Sequence, residues 1–380
     1  MSEYQYYEFL TVDRPLTTKE MAELRSFSTR ARITPTTFVN EYSWGNFKGD
    51  EQAWMERYFD AFLYVANWGT RILTLALPQR LLDKKMAGPY CAGDSMSARS
   101  GGGKTILSLS VEDDDDDEWM EPQGWLSSFA SVRAELARGD LRSLYLGWLL
   151  CVQRGEVDED QAEPPVPHGL RRLGAPLNGL VEFFRIDKDL VAAAAGGSQP
   201  AASTEPTRKQ MNRWIASLPG DDKDDILTRL MAGEAAIGDE LVRRMRRDED
   251  GGEGTDERRS NRRTAGELLR DAQVRAAEQR RAQAEAAARV KARREREVAA
   301  ARATYLDSIA GKEAALWTRV DELIATRQPR AYDEATKLLV DLHELSRRGD
   351  GTEFRRRLEA LRAEHARKPL LIGRLDRRSL

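Results

Sequence analysis

The first 124 residues alternate short apolar runs with amphipathic stretches, as expected of a domain that mixes strands and helices. A capping box at Thr17–Glu20 predicts the start of one helix, and the apolar face of Glu51–Phe62 predicts a second. Because the connections between several strands are short, we expect antiparallel pairing and an α+β sandwich. Runs rich in aromatic and β-branched residues predict strands at 4–12, 38–44, 63–66, 71–77 and 105–111.

The apolar period becomes helical after this domain. We expect a helical region at 125–195, a small and polar linker at 196–206, and a short-helix domain at 207–247. An acidic, Gly-rich stretch at 248–255 predicts a flexible hinge. The middle of the chain is therefore predicted to be mainly α.

Residues 256–304 are dominated by Ala, Arg and Glu and contain no Pro, which predicts one long charged helix. A helix of that length would reach roughly 70 Å at 1.5 Å per residue. Apolar residues then return at helical spacing, which predicts a C-terminal helical bundle at 305–380. Its first helix is expected to run through Glu313, with an apolar face formed by Leu306, Ile309, Leu316, Val320 and Leu323.

The long helix has three interpretations, because Arg and Glu are interleaved along it. Its register offers few large apolar residues, so a strong coiled coil is disfavoured and a spacer supported by i,i+4 ion pairs is favoured. Docking to a partner protein is the second interpretation. A nucleic-acid arm is the third, although eight acidic residues share the span and no aromatic residue interleaves. The residues proposed to contact a partner or nucleic acid are Arg258, Arg259, Arg262, Arg263, Arg280, Arg281, Arg293, Arg294 and Arg296.

Charge is distributed unevenly over the 380 residues, whose net charge is −3. Residues 1–204 carry 21 Lys and Arg against 30 Asp and Glu, while residues 205–380 carry 39 against 33. The basic second half could therefore meet an acidic partner, although a solvated helical surface is the simpler interpretation.

Two Cys and three His form no metal-binding or disulfide pattern, so we expect a reduced, cytoplasmic protein without cofactor or metal. The start of the chain lacks the pattern of a signal peptide. The longest apolar run, Leu144–Val152, is far too short to span a membrane.

Two local motifs suggest chemistry but lack its context. Gly101–Thr105 resembles part of a P-loop, yet the required first Gly is replaced by Ala98 and a strand follows instead of a helix. A hairpin loop is therefore favoured. Five adjacent carboxylates at Asp113–Asp117 predict a solvated loop, because calcium loops space their ligands.

No Ser/His/Asp or Cys/His set can be assembled, so catalysis is uncertain and disfavoured. An enzyme would have to use a pocket in the N-terminal domain lined by Trp44, Trp68, Arg57 and Asp60. The simpler interpretation places both Trp side chains in the core and the charges at the surface.

Four segments, Tyr58–Arg71, Leu141–Cys151, Trp214–Leu230 and His365–Pro369, resemble parts of uncharacterised bacterial proteins from actinomycete-type, high-GC genomes. The resemblance covers most of the chain. It implies a bacterial cytoplasmic protein of several parts, encoded near SWIM-type zinc-finger proteins, and it brings no activity or site residue.

The functional hypothesis is therefore a non-enzymatic scaffold or adaptor that makes protein–protein contacts through its helical regions. Association with nucleic acid through the Arg-rich helix is the first alternative. An enzyme of unknown class, with its site in the N-terminal domain, is the second.

Overall fold

The structure is a computed structural model that describes residues 3–45, 47–113, 121–200, 206–234, 237–249 and 262–380. The chain divides into two compact units, Met1–Gln279 and Arg280–Leu380. We call them the N-terminal unit and the C-terminal unit.

The N-terminal unit is built on one antiparallel sheet of seven described strands, in the order β2-β3-β1-β4-β5-β7-β6. This confirms the predicted α+β domain. Strands β2 and β6 were not predicted, since the first has only two residues and the second reads MSARSG, which is polar and contains Gly. The strands are β1 Gln5–Leu10, β2 Arg32–Ile33, β3 Thr37–Tyr42, β4 Ala61–Ala66, β5 Arg71–Pro78, β6 Met96–Gly101 and β7 Lys104–Val111.

Both faces of the sheet are covered, because successive side chains of a strand point to opposite faces. Phe62 of β4 packs in an aromatic cluster with Phe9 of β1, beneath helices α1 Thr18–Phe27 and α2 Glu51–Arg57. The next residue, Leu63, belongs to the core on the other face.

That second core is closed by a layer of helices. Helix α5 is buried from Arg142 to Val152, which explains why its apolar run is nearly continuous. The helices of this region are α3 Lys84–Ala87, α4 Trp125–Ala137, α5 Arg142–Gln153, α6 Ala175–Phe183 and α7 Lys188–Ala195.

Three further helices form the outer part of the N-terminal unit: α8 Arg208–Ser217, α9 Gly220–Met231 and α10 Ile237–Glu249. Their own cluster is small, with Trp214, Leu218 and Met245 buried. Helix α10 is tied to the rest of the unit by ion pairs, such as the 2.8 Å contact between Arg138 Nε and Asp239 Oδ1.

Helix α11, Ala265–Ile309, is the predicted long charged helix and belongs to both units, since the boundary follows Gln279. The C-terminal unit continues as a bundle in which apolar residues of the later helices form one core. These helices are α12 Glu313–Ala325, α13 Pro329–Ser346, α14 Thr352–Glu364 and α15 Pro369–Arg377.

Three predicted helix boundaries are wrong. The long helix, expected from residue 256, begins at Ala265, because Arg262 and Arg263 are not helical and Thr264 caps the first turn. The helix expected over Glu51–Phe62 ends at Arg57, because Phe62 lies in strand β4 between β1 and β5. The helix expected to run from Leu306 through Glu313 is interrupted by Gly311, whose φ of +81° stops the helix. Glu313 instead opens α12, and its carboxylate accepts a hydrogen bond of 2.9 Å from the Gly311 amide.

Candidate functional site

Helix α11 begins inside the N-terminal unit. Its first turn has a capping box, in which the Glu267 amide donates to Thr264 Oγ1 at 3.2 Å and the Thr264 amide donates to Glu267 Oε2 at 2.9 Å. Ala265, Leu268 and Ala272 are buried in the large core. The first two turns of α11 are therefore part of the domain.

A buried ion pair fixes the same end of the helix. Arg263 donates from Nε and Nη2 to the two carboxylate oxygens of Glu163, each at 3.1 Å, and from Nη1 to the Ala193 carbonyl at 2.8 Å. The Tyr145 hydroxyl donates to Glu163 at 2.9 Å. Burial, and then the charge of Glu163, raise the pKa of Tyr145, so its proton stays in this hydrogen bond.

Every residue of α11 from 277 to 301 is exposed. Three i,i+4 ion pairs support this exposed segment, Arg281–Glu285, Lys291–Glu295 and Arg293–Glu297, at 3.6, 4.0 and 2.8 Å. Such solvated pairs stabilise a helix by only about 0.3–0.5 kcal/mol each. Residues 277–301, called the exposed segment below, therefore remain helical by propensity more than by packing.

The cations of the exposed segment surround the helix axis. At 100° per residue Arg289, Arg293 and Arg296 share one side, while Lys291 and Arg294 lie on the opposite side. Arg289, Arg294 and Arg296 enter no ion pair within the described chain. Positive charge is thus available to a partner from more than one direction, without one continuous stripe.

Apolar residues of the same helix do not form a seam. Val274, Val290 and Val298 are each more than half exposed, and their separations of 16 and 8 residues place them on different sides of the helix. A coiled-coil seam needs apolar residues at alternating spacings of three and four.

The predicted contact residues separate into three groups. Arg258 and Arg259 lie outside the described residues. Arg262 is half-buried, and Arg263 holds the base of α11 through the Glu163 pair. The five that belong to the exposed part of α11 are Arg280, Arg281, Arg293, Arg294 and Arg296.

A second surface lies on helices α8 and α9 and was not predicted, because its residues have the helical period of core residues. Helices α8 and α9 leave five large apolar side chains exposed, more than the three that the cluster of α8, α9 and α10 buries. The number of large apolar residues could have indicated this surface, because few helices are available to cover them. The α8–α9 surface comprises Met211, Ile215, Leu227, Leu230 and Met231, with Met231 88% exposed.

The C-terminal unit has an open groove of about 1320 Å³ along the outer face of α13. Arg302 pairs there with Asp341 and Glu344 at 2.6 and 2.9 Å, and the Tyr305 hydroxyl donates to Asp341 at 2.9 Å. At the other end Arg374 pairs with Asp333 at 2.6 Å. The groove's carboxylates are thus largely neutralised from within the unit.

The four residues of the hypothetical N-terminal pocket do not meet. Trp44 is 68% exposed beneath the Arg30 guanidinium, and Trp68 is 40% exposed in the β4–β5 turn, so their expected place in the core is wrong. Arg57 pairs with Glu23 at 3.1 Å. Asp60 alone is buried, so its expected place at the surface is wrong, and it accepts from Lys104 and from two backbone amides.

The glycine-rich motif is a hairpin turn. Gly102 and Gly103 join β6 to β7 with φ of +57° and +74°, the geometry of a two-residue type I′ turn. A strand on each side leaves no helix end to receive a phosphate. In the acidic run, Asp113 pairs with Arg71 and Arg154, and residues 114–117 lie outside the described chain.

The described residues contain no group of three or more His, Cys, Asp or Glu side chains arranged to hold a metal ion. None of the described helices combines the length and the apolar character needed to cross a membrane. Comparison of the chain with protein-family models, with curated proteins and with solved structures found no match.

Proposed function

We propose that this protein is a non-enzymatic cytoplasmic adaptor, and that a partner protein binds the exposed segment of α11. The proposal rests on a contrast in burial along helix α11. Residues 265–272 are fixed in the N-terminal unit and residues 302–306 in the C-terminal unit, while each residue from 277 to 301 is exposed.

A preformed helix is a favourable surface for a partner, because its backbone has already lost the entropy that a disordered segment would lose on binding. Small Ala side chains dominate between the charges, so a partner can approach the backbone closely. The unpaired cations Arg289, Arg294 and Arg296 favour an acidic partner surface.

The test is affinity purification of the full chain from bacterial cells, with nuclease present throughout. We expect a stoichiometric protein partner whose recovery falls when Arg294 and Arg296 are both changed to Gln. The matched control changes Arg281 and Arg293 to Gln, since those guanidinium groups already pair with Glu285 and Glu297. Equal recovery with both double variants would contradict binding at the unpaired cations, and the absence of any nuclease-resistant partner would contradict the adaptor.

Association with nucleic acid is the second candidate function. It is favoured by the C-terminal unit, which carries 24 Lys and Arg against 16 Asp and Glu over residues 280–380. Each neutralised phosphate makes binding more sensitive to salt, so this function requires an affinity for DNA or RNA that falls steeply with salt. The distribution of cations around α11 and the absence of aromatic residues from 265 to 304 favour the protein partner instead.

A further inference from the structure

We propose that the α8–α9 surface pairs with the same surface of a second copy of this chain. The proposal is independent of the role of α11. It begins from the five large apolar side chains that these two short helices leave exposed, because apolar side chains exposed together on one side of a helix mark an interaction surface.

The two helices present the same arrangement. On α8 the exposed residues Arg208, Met211 and Ile215 stand at positions i, i+3 and i+7, and therefore on one side of the helix. On α9 the exposed residues Asp224, Leu227 and Met231 repeat this spacing. In this spacing each helix carries two exposed apolar residues preceded by one charge, positive on α8 and negative on α9, and α9 exposes Leu230 as well.

The charges on these helices remain available for an intermolecular contact. Arg208, Lys209 and Arg213 on α8 enter no ion pair with any described residue, and the same holds for Asp221 and Asp224 on α9. The neighbouring carboxylates are already used within the chain. Asp222 pairs with Arg244, and Asp225 lies 3.7 Å from Arg229.

A second copy of the chain complements the charges of both helices at once. In a two-fold interface a patch meets its own copy, so the basic helix α8 of one chain can face the acidic helix α9 of the other, in both directions. A partner of a single charge sign would be repelled by one of the two helices. The surface is therefore self-complementary in charge as well as apolar.

The side of these helices that faces the unit is fixed, so the outer surface is presented without rearrangement. Trp214 is buried and donates from Nε1 to Asp248 at 2.9 Å, and Arg229 Nη2 donates to Glu240 on α10 at 2.6 Å. Glu240 in turn accepts from Arg80 at 3.1 Å.

The experiment is sedimentation velocity on the full chain over a range of concentrations. We expect a species of twice the 42.9 kDa chain mass. Leu227→Glu and Arg208→Glu should each weaken the dimer by at least about tenfold in Kd, whereas Val290→Glu on α11 should leave it unchanged. Circular dichroism of each variant verifies that the helices remain folded.

Charge reversal on both helices gives the decisive comparison. Adding Asp224→Arg to Arg208→Glu restores opposite charges between α8 and α9, so the double variant R208E/D224R should recover most of the lost affinity. A chain that stays monomeric throughout, or a dimer that none of these variants affects, would overturn the proposal. A folded R208E/D224R variant that dimerises no better than Arg208→Glu would also overturn it.

Discussion

Arg263 and Glu163 are 100 residues apart in sequence, yet two guanidinium N–H groups of the first donate to both carboxylate oxygens of the second at 3.1 Å. The Glu163 side chain is 5% exposed. The contact joins the segment before α6 to the residues that open α11. A helix otherwise stabilised by solvated charges thus starts from a buried anchor.

Removing the Arg263–Glu163 ion pair should strongly destabilise the protein. Arg263→Ala would leave the buried Glu163 carboxylate with the Tyr145 hydroxyl as its remaining donor among the described residues, and we expect it to lower the free energy of unfolding by about 3 kcal/mol. Denaturant titration measures the difference. Arg293→Ala is the control, since its pair with Glu297 is more than half exposed and should contribute below about 1 kcal/mol. Equal losses of stability from both variants would show that the Arg263–Glu163 pair contributes no more than an exposed ion pair.

Asp60 should make the N-terminal unit sensitive to acid. Burial raises the pKa of its carboxyl, but Lys104, the Asp13 amide, Arg133 and the Val12 amide outweigh burial and hold that pKa below its ordinary value of 3.8. A depressed carboxyl pKa contributes stability that is present above the pKa of the unfolded chain and is lost as pH falls through the folded pKa.

The corresponding experiment compares Asp60→Asn with the parent chain at several pH values. Asp60→Asn should be less stable at pH 7 by about 3 kcal/mol, and the difference should shrink below about pH 4. Asp158→Asn, on an exposed carboxylate, should follow the parent at every pH. A difference at Asp60 that is constant with pH would show that its ionisation contributes nothing.

The two turn glycines should differ in their tolerance of a side chain. An added Cβ at Gly102 would lie 2.6 Å from the Glu56 carbonyl oxygen, whereas at Gly103 nothing lies within 4 Å. Both have positive φ, so Gly103→Ala should cost about 1 kcal/mol from backbone strain and Gly102→Ala clearly more. Thermal unfolding of both variants measures the order, and a reversed order would contradict this turn geometry.

The exposed segment should respond to helix propensity alone. Ala287 is exposed, so Ala287→Gly should destabilise the helix locally by about 1 kcal/mol and Ala287→Pro by about 3 kcal/mol. Amide hydrogen exchange around residue 287 should accelerate in that order and remain unchanged in Ala287→Lys. Unchanged exchange in the Pro variant would mean that this segment is not helical in solution.

Much of the fold could be predicted because its local signals agree with its tertiary structure. The capping box at Thr17–Glu20 and the polar, Ala-rich composition of α11 act locally, so propensity was sufficient. The end of α2 was mispredicted, because Phe62 suits a helix face and is placed in β4 only by its strand neighbours. The sequence around Phe62 does not indicate that β4 pairs with β1 and β5.

The surfaces were harder to predict than the elements. The exposed arginines of α11 follow from composition, whereas the role of Arg263 depends on Glu163, which sequence spacing does not bring near it. Met211 and Ile215 have the helical period of core residues. Only the packing of α8 shows that they face outward.

Site-specific photo-cross-linking shows whether a partner protein binds the exposed segment of α11. A benzophenone amino acid is placed at Ala282 and Ala299 in the exposed segment of α11, and at the exposed Ala53 of α2 as the control, each in the full chain within bacterial cells. We predict that both α11 positions cross-link to one protein partner in the presence of nuclease and that Ala53 does not. Cross-links from Ala53 alone, or none to protein from either α11 position, would contradict the account.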